Sequence, residues 1–247
     1  MTGAGAAGTG RAIARALAEK GATVAVNDLD EEGGTKTVLL IEADGGTARF
    51  VRADVTREDE IRAMIRFAAD TLGGLDILVN NAGGTAWPPF PDAPVEHWSR
   101  TLDLNLRGPM LAIHHALPEM RKRGGGAVVN ISSVAGIGWQ PHGSPEYAAA
   151  KAGLARLTAT LAPLAESDQV RVNCIVPNWI ETLEVLTELE AMSPEERAGV
   201  PNVMTKPEEI AELAVELIED EGLAGRVFIW WTARDPKAVP LDDLPGD

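Results

Sequence analysis

The chain is 247 residues long and carries a formal charge of -15 at pH 7, with 22 Lys+Arg against 37 Asp+Glu. That balance supplies no basic footprint for nucleic acid or an anionic membrane surface, so neither is expected as a partner. Apolar residues at 45% and charged residues at 24% exclude a disordered chain and support one core-bearing domain over 1–247.

No apolar run is long enough to span a bilayer and no secretory pattern opens the chain, so a cytoplasmic protein is expected. Cys174, the single cysteine, lies in the apolar run VRVNCIV, which predicts a buried and inert thiol. The opening stretch MTGAGAAGTGRAIARALAEKG places Gly3, Gly5, Gly8 and Gly10 before an apolar alternation that predicts a helix over about 9–20. Such a loop lets backbone amides approach a pyrophosphate while the helix presents its positive end. Strands are then predicted near 22–28, 48–54, 75–80, 126–132, 170–176 and 226–230. Helices fall between them near 31–43, 57–72, 95–122, 144–166 and 207–220, the last two opened by Pro145 and Pro207. Strand and helix alternate throughout, which predicts an α/β, Rossmann-like, doubly wound parallel sheet with helices on both faces. The irregular stretch 177–206 is the expected substrate-loop region, and the polar, proline-broken tail 235–247 is expected on the surface.

Sheets of this kind bind ligands beyond the C-terminal ends of their strands. Asp28 ends the strand at 22–28, where a carboxylate accepts hydrogen bonds from an adenosine ribose diol and repels a 2′-phosphate. NAD is thereby favoured over NADP, although an acid at that place serves equally as a helix N-cap. In Tyr147-Ala-Ala-Ala-Lys151 the helical step sets a phenol and an ammonium on one face. A phenol near its ordinary pKa is a poor base at neutral pH, so an adjacent cation favouring phenolate suits proton exchange with an alcohol. Ser132 and Ser133 end the preceding strand and reach the same crevice. His97, His114, His115 and His142 show no metal-ligand spacing, and no metal is expected. Trp87, Trp139 and Trp179 follow strands and are candidates to line a substrate pocket, whereas Trp230 and Trp231 fit packing of the last strand or a subunit contact.

On these residues the sequence resembles the short-chain dehydrogenase/reductase family over nearly its whole length. The matching stretches are the glycine loop running into GRAIARALAEKGA, Asp28, Ala53-Asp54-Val55, Asn80-Asn81-Ala82-Gly83, Asn105, ISS at 131–133, YAAAK and VRVNCIVP. The resemblance implies that Tyr147 is the general acid/base and that Lys151 lowers its pKa and holds the nicotinamide ribose. It implies that Ser133 orients the substrate oxygen and that Asn105 holds a water linking the lysine to solvent. It further implies adenine contacts from Asp54 and Val55, a cofactor role for Asn81, Ala82 and Gly83, and a place near the nicotinamide for Pro177 and Thr182. The activity implied is interconversion of a secondary alcohol and a ketone with NAD, by a homotetramer or homodimer built partly from the helices at 95–122 and 144–166.

Four features depart from the family pattern. The usual central strand before Thr2-Gly3 is missing from the sequence, which predicts unpaired ladder groups on both neighbouring strands. Four residues separate Gly3 from Gly8 where three are usual, so either the loop bulges or Gly5 takes over one role. The interval from Ser133 to Tyr147 is one residue longer than usual, which leaves Ser132 as a rival to Ser133. Asn178 stands where a glycine usually follows Pro177, and asparagine tolerates left-handed backbone angles. Two alternatives remain open on the sequence: an NADP-linked 3-oxoacyl reductase, and a non-catalytic or truncated member impaired in cofactor binding.

Overall fold

A computed structural model describes residues 1–85, 88, 90–139, 141–197, 200–231 and 236–239. Trp87 and most of the 235–247 tail lie outside the described residues. The first half of the chain alternates α1 (Thr9–Glu19), β1 (Thr23–Asp28), α2 (Glu31–Ala43), β2 (Thr47–Arg52), α3 (Glu58–Leu72) and β3 (Ile77–Asn80). A broken helix follows as α4 (Val95–Leu102), one π-helical turn at Asp103–Arg107 and α5 (Gly108–Arg123). The second half runs β4 (Gly126–Ile131), α6 (Pro145–Thr160), α7 (Leu164–Ser167), β5 (Val170–Pro177), α8 (Leu183–Ala191), α9 (Pro194–Arg197), α10 (Pro207–Glu219), β6 (Val227–Trp230) and β7 (Lys237–Ala238). The expected elements are present within a few residues of their predicted bounds. The differences are the break in the helix at 95–122, the separation of α7 from α6, and the short helices α8 and α9 inside the irregular stretch.

Burial on both faces explains the strand compositions. Central parallel strands lose their alternation because helices cover each side, and β4 and β5 are buried along almost their whole length. On one face Ile13 and Leu17 of α1 meet Ile210, Leu213 and Leu217 of α10 over Val129 and Ile175. On the other, Ile61 and Ile65 of α3 meet Ile113 and Met120 of α5 over Leu78, Val128 and Val172. Cys174 is fully buried within this sheet, as its apolar run predicts.

The sheet is recorded in two pieces, β2-β1 and β3-β4-β5-β6-β7, all pairs parallel except the antiparallel β7. Residues Met1 to Ala4 join them. Asn27 N–H donates to Met1 C=O at 3.0 Å, Ala4 N–H to Asn27 C=O at 3.1 Å, and Thr2 N–H to Val79 C=O at 3.1 Å. This stub occupies the position of a central strand only at its C-terminal end.

A buried polar ladder crosses the core between strands and helix. Asn80 Nδ2 donates to Asn130 Oδ1 at 2.8 Å, Asn130 Nδ2 to Thr158 Oγ1 at 3.0 Å, and Thr158 Oγ1 to Leu154 C=O at 3.0 Å. Among the described residues no helix is long and apolar enough to cross a membrane. Replacing Asn130 with Leu strands the Asn80 amide and removes the Thr158 donor, so urea denaturation is expected to show a loss of about 2 to 4 kcal/mol. A loss below about 0.5 kcal/mol would mean the ladder contributes nothing to stability.

Candidate active site

β4 ends at Ile131, and the extended chain beyond it turns Ser132 and Ser133 to opposite sides. Ser132 is buried; its hydroxyl donates to Lys151 C=O at 2.7 Å and its N–H to Ile175 C=O at 2.8 Å. Ser133 faces the other way and hydrogen-bonds the Tyr147 phenol, while its Oγ accepts from Ala135 N–H at 3.2 Å. Of the two serines, only Ser133 is thus brought to Tyr147.

Pro145 supplies the first turn of α6, and the four-residue step sets Lys151 Nζ 5.5 Å from the centroid of the Tyr147 ring. Lys151 is buried and its ammonium donates to Ile131 C=O at 2.9 Å. Burial brings its pKa down from 10.5 to about 8, with the neighbouring Cys174 working in the opposite direction. Burial pushes the Cys174 thiol up to about 12. The phenol departs from the sequence expectation. Burial pushes the Tyr147 pKa above its usual value, the Ser133 hydrogen bond opposes that rise, and the Glu184 carboxylate adds to it. The rise from burial outweighs the lowering from Ser133, so the expected net lowering of the phenol pKa is not found.

Asn105 sits in the π turn, whose extra residue interrupts the helix and aims one side chain inward. It is fully buried, donating from Nδ2 to Thr101 C=O at 2.9 Å and Gly84 C=O at 2.8 Å, and accepting at Oδ1 from Gly84 N–H at 3.1 Å. Gly83 binds the group together. A methyl group there would lie 2.8 Å from Asn105 Oδ1 and 3.1 Å from Lys151 Nζ, so only glycine lets the turn pass between them.

At the sheet's opposite half, Gly3 takes φ +62° against Ala82, and Asn81 Nδ2 donates to Thr2 C=O at 3.1 Å and Gly3 C=O at 2.8 Å. Gly10 packs on the Gly3 carbonyl and the Asn81 amide. Asp28 accepts the Gly5 N–H at 2.7 Å and the Asp30 N–H at 3.1 Å. Gly8 is the N-cap of α1 with no side-chain cap, so the first-turn amides remain open to an anion, and the Thr182 methyl lies against it. Thr182 Oγ1 in turn accepts the Val185 N–H at 3.3 Å and starts α8.

Asp54 accepts the Thr56 N–H at 2.9 Å and hydroxyl at 2.8 Å. Burial raises its pKa, but those hydrogen bonds together with Arg100 and Arg57 hold it below the usual carboxylate value. Val55 is buried behind it, and Pro177 closes β5. Asn178 does not use a left-handed conformation: among the described residues only Gln169 does so without being glycine.

Three contributions were not legible in the sequence. Arg11 clamps the loop, donating to Thr37 Oγ1 at 2.9 Å, to Gly33 C=O and to Gly5 C=O. The His142 ring stacks on Tyr147 with centroids 5.7 Å apart, and the charge of Glu184 on α8 acts on the phenol. An arginine directly after the last loop glycine was the available signal for the first; a loop histidine and a helix glutamate carry none. Trp139 is 99% exposed, whereas Trp179 is half-buried.

A family profile described as enoyl-(acyl carrier protein) reductase matches residues 3–228. A putative short-chain dehydrogenase/reductase from Burkholderia xenovorans superposes with a TM-score of 0.85 at 32% identity, covering 92% of each chain. The chain belongs to the short-chain dehydrogenase/reductase family. It is similar to cis-4-hydroxycyclohexanecarboxylate dehydrogenase of Sinomonas cyclohexanicum, 38% identical over 89% of this chain and 88% of that protein. It also resembles 3beta-hydroxysteroid dehydrogenase 1 of Eggerthella lenta, 36% identical over 87% and 84% of the two chains. A 7 alpha-hydroxysteroid dehydrogenase solved with NADH and a 7-oxo bile acid superposes with a TM-score of 0.85 at 33% identity, covering 93% and 90%. As a member of this oxidoreductase family the chain uses a nicotinamide dinucleotide, NAD or NADP.

Lys151 holds fewer protons in the fold than in the unfolded chain between about pH 8 and 10.5. Its penalty on stability is therefore full below pH 8 and is relieved as pH rises, with Cys174 acting in the opposite sense above pH 9. Urea midpoints are expected to climb from pH 8 to pH 9 in the native chain, and Lys151→Met should flatten that climb. An unchanged slope in the variant would assign the pH response elsewhere.

Proposed function

We propose that this protein is an NAD-dependent dehydrogenase that interconverts a secondary alcohol and a ketone. The observation that carries the reading is the convergence on Tyr147: a hydrogen bond from one side by Ser133, the Lys151 ammonium 5.5 Å from the ring centroid, and Asn105 behind Lys151 across Gly83.

The glycine loop fits a dinucleotide. Its backbone amides and the uncapped start of α1 suit a pyrophosphate, and Lys151 suits the ribose beyond. Asp28 at the tip of β1 places a carboxylate where a 2′-phosphate would be repelled, which favours NAD. Asp54 and Val55 fit the adenine side, and Asn81, Ala82, Gly83, Pro177 and Thr182 complete the wall. When bound, the cofactor exchanges a hydride with the substrate carbon.

The chain's own residues position the substrate oxygen and move its proton. In oxidation Ser133 and Tyr147 both hydrogen-bond the substrate hydroxyl, and Tyr147 takes its proton as the carbonyl forms; in reduction Tyr147 gives it back. The raised phenol pKa keeps Tyr147 protonated at neutral pH in the free protein, a state suited to the reductive direction. Asn105 acts by positioning, fixing the Gly83-Gly84 turn beside Lys151.

The rim of the site is apolar. Phe90, Leu183 and Leu186 are exposed, and Phe90 N–H donates to Gly143 C=O at 3.1 Å, tying its loop to the segment that carries His142. Such a rim suits a ring-bearing alcohol, in keeping with the alicyclic and steroid dehydrogenases to which the chain is similar. Val95 and Leu102 of α4 and Met110 of α5 are exposed apolar side chains, which supports a homodimer or homotetramer. Native mass measurement checks the assembly and should show no monomer at micromolar concentration.

Tyr147→Phe is expected to lower turnover of a cyclohexanol-type substrate by about 10²- to 10⁴-fold while leaving NADH affinity, read by tryptophan quenching, within about twofold. Retained turnover would remove Tyr147 from the chemistry. Asp28→Ala should shift the ratio of turnover with NADP to turnover with NAD upward by at least about tenfold, and an unchanged ratio would end the assignment of cofactor choice to this residue.

A further inference from the structure

His142 is exposed, and its ring stacks on that of Tyr147 with centroids 5.7 Å apart and planes inclined by 24°. Neither the proton exchange nor the cofactor binding proposed above uses it. The two residues that follow hold it at the mouth of the site: Gly143 C=O accepts the Phe90 N–H from the apolar rim, and Ser144 starts α6.

That anchorage fixes where the imidazole carries its proton. Nδ1 lies 3.1 Å from both the nitrogen and the carbonyl oxygen of Ser144. The carbonyl already accepts the Tyr147 and Ala148 N–H groups at 3.1 Å as the first turn of α6 forms. The Ser144 N–H can only donate, the residue is buried, and Nδ1 is the acceptor it finds among the described residues. The neutral ring therefore accepts at Nδ1 and holds its proton on Nε2. No described residue accepts from Nε2, which lies on the side of the ring away from the anchoring nitrogen. A hydrogen-bond donor is thus left open beside the phenol.

The surrounding charge limits what this donor can hold. The stretches 81–99, 132–150 and 178–196 follow β3, β4 and β5, and none of them contains a Lys or Arg. They offer no ammonium or guanidinium to a substrate carboxylate or phosphate. Glu184, in the first turn of α8, adds negative charge that acts on the phenol. An anionic group on the substrate meets repulsion there and no counter-ion from these stretches. An uncharged oxygen meets the Nε2 donor without that opposition.

We infer that His142 is a specificity-determining residue, donating from Nε2 to an uncharged second oxygen of the substrate. The class acted on is then a ring alcohol, or its ketone, that carries a further hydroxyl or carbonyl group. With Nδ1 anchored and the ring held against Tyr147, the donor is preorganised relative to the phenol, so little freedom is lost when it bonds. Because His142 is exposed, a substrate lacking the second oxygen leaves Nε2 to water, and the preference is a matter of degree and not exclusion. The inference rests on the dehydrogenase reading of Tyr147 and adds the substrate class to it.

The test compares kcat/KM for cyclohexanol, cyclohexane-1,4-diol and 4-hydroxycyclohexanecarboxylate, with whichever of NAD and NADP turns over faster. The two equivalent hydroxyls of the diol alone favour it about twofold over cyclohexanol, and the His142 bond is expected to raise that ratio to about fivefold or more. The carboxylate is expected to fall below cyclohexanol. His142→Phe keeps a ring against Tyr147 but removes the donor, so the diol-to-cyclohexanol ratio should drop to about twofold whatever happens to both rates. A native ratio of about twofold or less overturns the inference with no need of a variant. A high ratio that survives His142→Phe overturns it by moving the selectivity to another residue. Preference for the carboxylate over the diol overturns the uncharged class. Turnover of none of the three overturns the dehydrogenase reading for ring alcohols itself, and this inference with it.

Discussion

Thr2 is the residue on which the architecture turns. Its N–H joins β3 through Val79, its hydroxyl accepts the Asn81 and Ala82 N–H groups at 3.0 and 3.1 Å, and its carbonyl holds the Asn81 side chain at 3.1 Å. With Met1 and Ala4 on either side bonded to Asn27, this buried threonine joins the β1 half of the sheet to the β3 half, and connects the glycine loop to the turn that borders Asn105 and Lys151. In the proposed function the pyrophosphate site of the glycine loop and the proton exchange at Tyr147 lie on either side of this joint. Their geometry relative to each other passes through this joint.

Burial is the common physical cause at the other end of the site. Lys151 and Asn105 are all but inaccessible to water, and each is kept there by backbone carbonyls: Ile131 for the ammonium, Thr101 and Gly84 for the amide. Polar groups in such surroundings are tolerated only when satisfied, and satisfied groups in low dielectric are held rigidly. The same surroundings raise the phenol and lower the ammonium. A rigid, desolvated constellation beside an apolar rim is suited to excluding water from a hydride-exchanging site.

Most of the strand and helix order was legible because buried parallel strands read as short Val/Ile runs and the helices between them carry proline or charge at their first turns, as at Pro145 and Pro207. The glycine loop and the Tyr147/Lys151 step were legible because backbone approach and helical periodicity leave a spacing in the sequence. What was hidden depends on contacts between distant segments. The choice of Ser133 over Ser132 follows from which hydroxyl the Lys151 carbonyl captures, and nothing local records that. The direction of the Tyr147 shift follows from burial of the phenol and from the charge of Glu184 on α8, which no spacing reveals. The interruption at Asp103–Arg107 likewise comes from packing, since DLNLR carries neither proline nor glycine.

That interruption has a geometric corollary. Each residue of an α-helix advances the chain by about 100° around the axis. The additional residue accommodated in the π turn therefore sets the rotational phase of Val95–Leu102 relative to Gly108–Arg123, and with it the directions in which Trp98 and Arg100 point. The inward aim of Asn105 and the outward identity of the α4 surface are consequently a single structural variable. Evolution cannot retune that surface by shortening or lengthening the helix at this point without also turning Asn105 away from Gly84.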